Sequence, residues 1–218
     1  MSSWSLLRRT PIHAATAAVL ALAGLTHSGA AAAGERLASL PSPVPPANAA
    51  GAARPIAAWQ EFCAKRPAEC AIDVAEPERV ALTPTAWKTI VEINSRVNRV
   101  VKPLTDMEHW GVVDRWDFAE DGYGDCEDYQ LLKRRMLVSA GFSRRAMPMT
   151  VVLDENNEGH AVLMIRTDRG DFVLDNKRDD VLSWQATGYV FVKRESQLET
   201  AWVSLNHVSG VTSTASRR

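Results

Sequence analysis

Gly124-Asp125-Cys126-Glu127-Asp128-Tyr129 sets a cysteine among acidic residues, at the point where a glycine-containing turn gives way to a run with helical spacing. Asp125 stands where a helix N-cap belongs, and Gly141 stands where a C-terminal glycine belongs, which predicts a helix from Cys126 to about Ala140. Downstream come Gly159-His160-Ala161-Val162 and then Phe172-Val173-Leu174-Asp175-Asn176. Both are short, apolar and bounded by turn residues, so they predict the two strands of a β-hairpin. Cysteine, histidine and aspartate in that order form a thiol-nucleophile constellation. A helix N-terminus favours a thiolate, and a histidine beside the sulfur forms an ion pair with it and later protonates the leaving group. An aspartate beyond the histidine holds the useful tautomer. Cys126 is therefore the candidate nucleophile, His160 the acid/base and Asp175 the orienting residue. His109 is a rival base and Asn176 a rival orienter.

Asp125, Glu127 and Asp128 work against this chemistry, because negative charge beside a thiol raises its pKa above the usual value of about 8.5. A bound cation offsets them, and hard carboxylate oxygens suit Ca²⁺. Asp125 and Glu127 are the candidate ligands. The run Asp154-Glu155-Asn156-Asn157-Glu158-Gly159 begins like an EF-hand loop. Ile165 falls where that loop needs its bidentate glutamate, so the run reads as a hairpin turn.

The remaining chain supplies helices first and strands later. Pro55–Ala64 has helical spacing, and Thr83-Pro84 is an N-cap and first-turn pair that opens a helix to about Lys102. Residues 110–124 read mostly as loop. Met149–Leu153, His160–Arg166, Asp171–Leu174 and Tyr189–Lys193 read as strands. The fold class is α+β, with N-terminal helices and the nucleophile at a helix start, packed on an antiparallel sheet. Lys133-Arg134-Arg135 reads as a solvated helix face, and Trp110 and Trp116 are the tryptophans assigned to a substrate groove.

These residues also resemble a known family. Gly122-Tyr123-Gly124-Asp125-Cys126-Glu127-Asp128-Tyr129, Lys133-Arg134, Gly159-His160-Ala161-Val162-Leu163 and Leu174-Asp175-Asn176 are similar to the bacterial transglutaminase-like cysteine peptidases, the LapG-type periplasmic proteases among them. The resemblance runs from about Trp110 to Trp184. It implies a papain/transglutaminase-type fold, the Cys126–His160–Asp175 triad, and calcium dependence through Asp125 and Glu127. It further implies a protein substrate such as a cell-surface adhesin, and an inner-membrane receptor that regulates access to it. The chain departs from the LapG pattern at Trp116-Asp117-Phe118-Ala119, where Trp-x-Thr-Pro is expected.

The N-terminus carries Arg8-Arg9, an apolar run from Ala14 to Leu25 and then small residues to Ala33, the pattern of a cleaved signal peptide over residues 1–33. Leu7 before the arginine pair and Thr10-Pro11 after it argue for general export rather than the twin-arginine route. The expected location is the periplasm. Residues 34–54, rich in Pro and Ala, read as a flexible tether, 55–208 as one domain, and 209–218 as a frayed tail. In an oxidising compartment Cys63 and Cys70 can form a local disulfide, which leaves Cys126 outside it. The formal charge of −1 shows no basic patch for nucleic acid. Three functions fit: an exported cysteine endopeptidase, a transglutaminase or amidase with the same triad, and a catalytically silent calcium-responsive binding module.

Overall fold

Leu163, Ile165, Phe172 and Leu174 belong to one apolar cluster, and the residues that alternate with them, Val162, Met164 and Val173, belong to another. Strands with two apolar faces must be covered on both sides. The computed structural model, which describes residues 40–205, shows how each side is covered. The predicted signal peptide, residues 34–39 of the predicted tether, and the tail 209–218 lie outside the described residues.

The chain runs through β1 (Gly51–Ala53), α1 (Ala57–Lys65), α2 (Pro67–Cys70), α3 (Pro84–Val100), β2 (Lys102–Pro103), α4 (Asp106–Trp110), β3 (Tyr123–Gly124) and α5 (Cys126–Ser139). It continues through β4 (Met149–Leu153), β5 (Gly159–Thr167), β6 (Gly170–Asp175), β7 (Arg178–Ser183), β8 (Val190–Glu195) and β9 (Trp202–Ser204). Seven strands form one antiparallel sheet in the order β1-β9-β8-β4-β5-β6-β7, and β2 and β3 form a separate two-residue parallel pair. Helices α3 and α5 pack on one face of the sheet. This is the α+β fold expected, with the nucleophile helix against β5. Among the described residues no helix is long and apolar enough to cross a membrane.

The segment expected as a flexible tether is instead a strap from Leu40 onward. Val44 donates to the Arg169 carbonyl at 2.9 Å, Ala47 donates to Asp171 Oδ2 at 2.8 Å, and Trp184 Nε1 donates to the Pro45 carbonyl at 2.8 Å. Gly51–Ala53 then pairs with β9. Its prolines fix an extended backbone without asking for sheet partners at every residue, which suits a strand-edge cover. Gly170 admits it: φ is +108°, and a Cβ there would collide with the Val44 carbonyl. Ala47 of the strap, with Tyr189 and Trp184, covers the face opposite the helices, while Leu40 and Val44 pack on the helix-side cluster.

Cys63 and Cys70 are joined by a disulfide that ties α1 to α2, as the local spacing suggested. Lys133 and Arg134 are not a solvated face. Both are buried, at 0% and 2% exposure, because α5 lies between α3 and β5 and has little free surface. Arg134 Nη1 pairs with Glu195 Oε2 at 2.5 Å, and the same glutamate accepts from Met149 N and Trp59 Nε1. The ammonium of Lys133 lies 5.9 Å from the Tyr129 ring centroid, and burial lowers its pKa from 10.5 to about 7 against the raising influence of Asp175 and Asp179. Trp116 is likewise core, edge-on to Trp202, rather than in a groove.

The burial of Lys133 has a measurable signature. Between about pH 7 and pH 10.5 the unfolded chain keeps a proton that the folded chain releases, so Lys133 makes stability rise with pH by up to about 1.4 kcal/mol per pH unit. Lys133→Met is expected to stabilise the protein at neutral pH and to remove that rise. Denaturant unfolding of both proteins across the window measures the difference, and identical slopes contradict it.

Candidate active site

Cys126 is the first residue of α5 and Asp125 occupies its N-cap position. The Asp125 side chain makes no capping bond, however; its Oδ2 accepts from Asp106 N at 3.4 Å. The cap expected at this point is therefore diverted toward α4. Gly124 is required by close approach, since a Cβ there would stand 2.7 Å from both Cβ and Oδ2 of Asp128. The Gly-Asp-Cys-Glu-Asp run thus folds the Asp128 carboxylate back over the start of its own helix. Asp128 Oδ1 accepts from Asp117 N at 2.8 Å.

His160 and Asp175 meet directly. His160 is the second residue of β5, Asp175 closes the neighbouring β6, and Nε2 lies 2.9 Å from Oδ1. Because an ionised carboxylate only accepts, Nε2 carries the proton, and Nδ1 is the nitrogen left for chemistry. Burial alone would push the Asp175 pKa up. The hydrogen bond and charge of His160, the Lys177 N–H and the Tyr189 hydroxyl together hold it well below the usual carboxylate range. The scaffold behind this pair is specific. Asn98 Nδ2 on α3 donates to the Asp175 carbonyl at 3.0 Å, and Asn94 Nδ2 one turn earlier donates to the Arg178 and Asp179 carbonyls. Asp154 accepts from Asn156 N and Glu158 N within the β4–β5 turn, confirming a hairpin turn rather than an EF-hand loop. Its Oδ2 also reaches Lys177 Nζ at 2.5 Å, joining the turns that flank His160 and Asp175.

The Cys126 sulfur is buried, accepts from Ala161 N at 3.4 Å, and lies 3.1 Å from Glu127 Oε2. It therefore sits against the residue that follows His160. The rivals are placed elsewhere: His109 lies 2.8 Å from Asp121 and stacks on Trp110, while Asn176 faces the Gln130 amide at 3.3 Å. Trp110 is 42% exposed, with its ring against His109 and Arg115, whereas Trp116 is buried.

The electrostatics around the sulfur are one-sided. Burial, then the charges of Glu127 and Asp125, push the Cys126 pKa well above that of an ordinary thiol. Oxygens of Asp106, Asp125 and Asp128 lie within 4.8 Å of one another, as do those of Asp106, Asp114 and Glu127. Burial and mutual repulsion raise Asp106 to about 7 and Asp128 to about 9, and lift Asp125 and Glu127 as well. Asp125 Oδ1 is buried and has no hydrogen-bond partner among the described residues. The nearby Arg115 guanidinium turns away to Asp117 and Trp110. Buried carboxylate oxygens converging in this way fit a hard divalent cation such as Ca²⁺. Asp125 and Glu127 are the ligands expected from the sequence, and Asp128, expected only to oppose the thiolate, joins them here. Asp106 and Asp114 gave no local signal, since only the fold brings them to α5.

A family description, bacterial transglutaminase-like cysteine proteinase (BTLCP), matches residues 49–209. No curated protein matches the chain. Among solved structures, calcium-bound LapG of Legionella pneumophila is similar at 21% identity over 60% of this chain and 84% of that one, with a TM-score of 0.47. A second Legionella pneumophila LapG structure shares 24% identity over 58% and 73% of the two chains, with a TM-score of 0.48. An EGTA-treated form shares 25% over 52% and 64%, with a TM-score of 0.44.

The carboxylate cluster predicts how stability depends on pH. Unfolded aspartates release their protons near 3.8, whereas Asp106 and Asp128 hold theirs to about 7 and about 9. In that window the unfolded chain binds fewer protons, so stability without a cation falls as pH rises. A cation replaces those protons. Thermal unfolding below about pH 7, where Lys133 does not contribute, is expected to show a Tm that declines with pH in EGTA, and a higher, flatter Tm in calcium. Parallel curves in the two buffers contradict the site.

Proposed function

The chain belongs to the bacterial transglutaminase-like cysteine proteinases, and on that premise we propose that it is an exported, calcium-dependent endopeptidase of the cell envelope that works through Cys126, His160 and Asp175. As a cysteine peptidase it acts on protein substrates. The finer substrate in this reading is a surface or envelope protein, such as an adhesin. An inner-membrane receptor that controls access to the substrate belongs to the same reading. The periplasmic location rests on the signal-like residues 1–33.

One observation carries the assignment of roles: His160 and Asp175 form a buried pair, and the N–H of the next residue, Ala161, rests on the sulfur of a helix-opening cysteine. His160 Nδ1 takes the thiol proton. The sulfur attacks the scissile carbonyl, and its electron pair moves onto the carbonyl oxygen. Backbone N–H groups at the start of α5 supply part of the oxyanion hole. As the tetrahedral adduct collapses, the imidazolium gives its proton to the departing amine and a thioester remains. His160 then draws a proton from water, whose hydroxide releases the acid and restores the thiol. Throughout, Asp175 holds Nε2–H and fixes the orientation of the ring.

Asp125 and Glu127, joined by Asp106, Asp114 and Asp128, would hold the calcium ion. The chemistry it supplies is positive charge beside the sulfur, which offsets the carboxylates that raise the thiol pKa. The resting contact between the sulfur and Glu127 Oε2 explains why this matters: a carboxylate that accepts the thiol proton keeps the sulfur from the imidazole.

The test is cleavage of an envelope-protein extract, with new N-termini mapped by mass spectrometry. Cys126→Ala and His160→Ala are expected to abolish all calcium-dependent cleavage, and Asp175→Asn to slow it by about 10²-fold to 10⁴-fold. EGTA is expected to silence the wild type and added calcium to restore it. Undiminished cleavage by Cys126→Ala overturns the assignment.

A further inference from the structure

Asp175 has a second partner with a consequence for His160. Tyr189 precedes β8 and follows Gly188, whose backbone is left-handed at φ 78°. Its hydroxyl donates to Asp175 Oδ2 at 2.7 Å, and its ring stands edge-on to the His160 imidazole with centroids 5.8 Å apart. Oδ1 of the same carboxylate is occupied by His160 Nε2 and by Lys177 N at 3.0 Å. Tyr189 is 8% exposed and gains its geometry from both catalytic partners at once.

A cation waits on the far side of that hydroxyl. Arg178 Nη2 donates to Tyr189 Oη at 3.4 Å, and the guanidinium carbon lies 5.4 Å from the ring centroid. Arg178 Nε is buried, has no hydrogen-bond partner among the described residues, and stops 3.8 Å from Asp175 Oδ2. A movement of about 1 Å would bring it into a charge-assisted pair with that oxygen. The other charges facing Asp175 are accounted for. Lys177 is drawn off by Asp154, Lys133 lies over the Tyr129 ring on α5, and Asp179 accepts from Asn98.

We infer that Tyr189 is a positioning residue of the active site: by occupying Asp175 Oδ2 it keeps Arg178 at ion-pair distance and short of a hydrogen bond to that oxygen, so that His160 keeps the stronger claim on the Asp175 carboxylate. This rests on the triad reading above. Without the hydroxyl, Arg178 closes from 3.8 Å to a charge-assisted hydrogen bond on Oδ2 and competes with His160 for the carboxylate. The ring alone would leave the packing against His160 intact while losing this function.

The experiment uses the calcium-loaded mature protein and two probes, neutral iodoacetamide and anionic iodoacetate, whose rates with Cys126 are read by mass spectrometry. An imidazolium beside the sulfur attracts the anionic reagent, so the iodoacetate-to-iodoacetamide ratio reports the ion pair. Tyr189→Phe is expected to slow alkylation about tenfold and to lower that ratio, with Tm little changed. Adding Arg178→Gln to Tyr189→Phe is expected to restore both. A Tyr189→Phe variant with wild-type rate and ratio overturns the inference, as does a loss that Arg178→Gln does not repair. Asp175→Asn separates the two claims: wild-type alkylation there sinks the triad itself, whereas a slowed Asp175→Asn beside an unaffected Tyr189→Phe sinks only the role of Tyr189.

Discussion

Negative charge crowded around a buried sulfur governs this protein. Asp106, Asp114, Asp125, Glu127 and Asp128 converge at the start of α5, where the proposed nucleophile Cys126 would have to ionise. The positive end of the helix favours a thiolate by a small amount, on the order of 1 kcal/mol. That is far too little against burial together with adjacent carboxylates, which push the thiol well above its ordinary pKa. A peptidase nucleophile in such a place makes chemical sense when its activity depends on an added positive charge. The same carboxylates that silence the thiol are then the ones that gather the ion.

His160 and Asp175 sit under the opposite regime. Their pair is buried and is braced from several elements. The amides of Asn94 and Asn98 hold the β6–β7 turn to α3, Asp154 and Lys177 tie the adjacent hairpin turns together, and Tyr189 closes the carboxylate from the strap side. In the proposed mechanism a rigid acid–base pair serves a nucleophile whose ionisation is conditional, with geometry built in by folding and charge supplied afterwards. The strap contributes on both faces: Ala47 packs with Val162, Met164 and Tyr189 opposite the helices, while Leu40 and Val44 pack on the helix-side cluster.

Much of this was legible in the chain. Cys126 after a Gly-Asp step, His160 at a strand start and Asp175 at a strand end are local signals, and each lies where its spacing puts it. The hairpins were legible too, because β4, β5 and β6 are apolar and bounded by turn residues. What failed did so for tertiary reasons. Lys133 and Arg134 look solvated until α5 is wedged between α3 and β5, where Glu195 receives the arginine. β7 was missed because Arg178-Asp179-Asp180 has no β-strand composition; it is an edge strand whose carbonyls are paid for by asparagines ~80 residues earlier in the chain. The prolines of the strap signal extended backbone without saying whether it docks. Asp106, Asp114 and Tyr189 join the site only through long-range packing, beyond the reach of any local pattern.

The central claim is that Cys126 becomes a nucleophile when calcium occupies the carboxylate cluster. The direct measurement is the rate of iodoacetamide alkylation of native Cys126 against pH, in calcium and in EGTA, resolved by peptide mass spectrometry. The account predicts rapid labelling at mildly acidic pH in calcium, and slow labelling in EGTA until the pH exceeds that of an ordinary thiol, about 8.5. Equal rates in the two conditions, or labelling only after the protein unfolds, would contradict it.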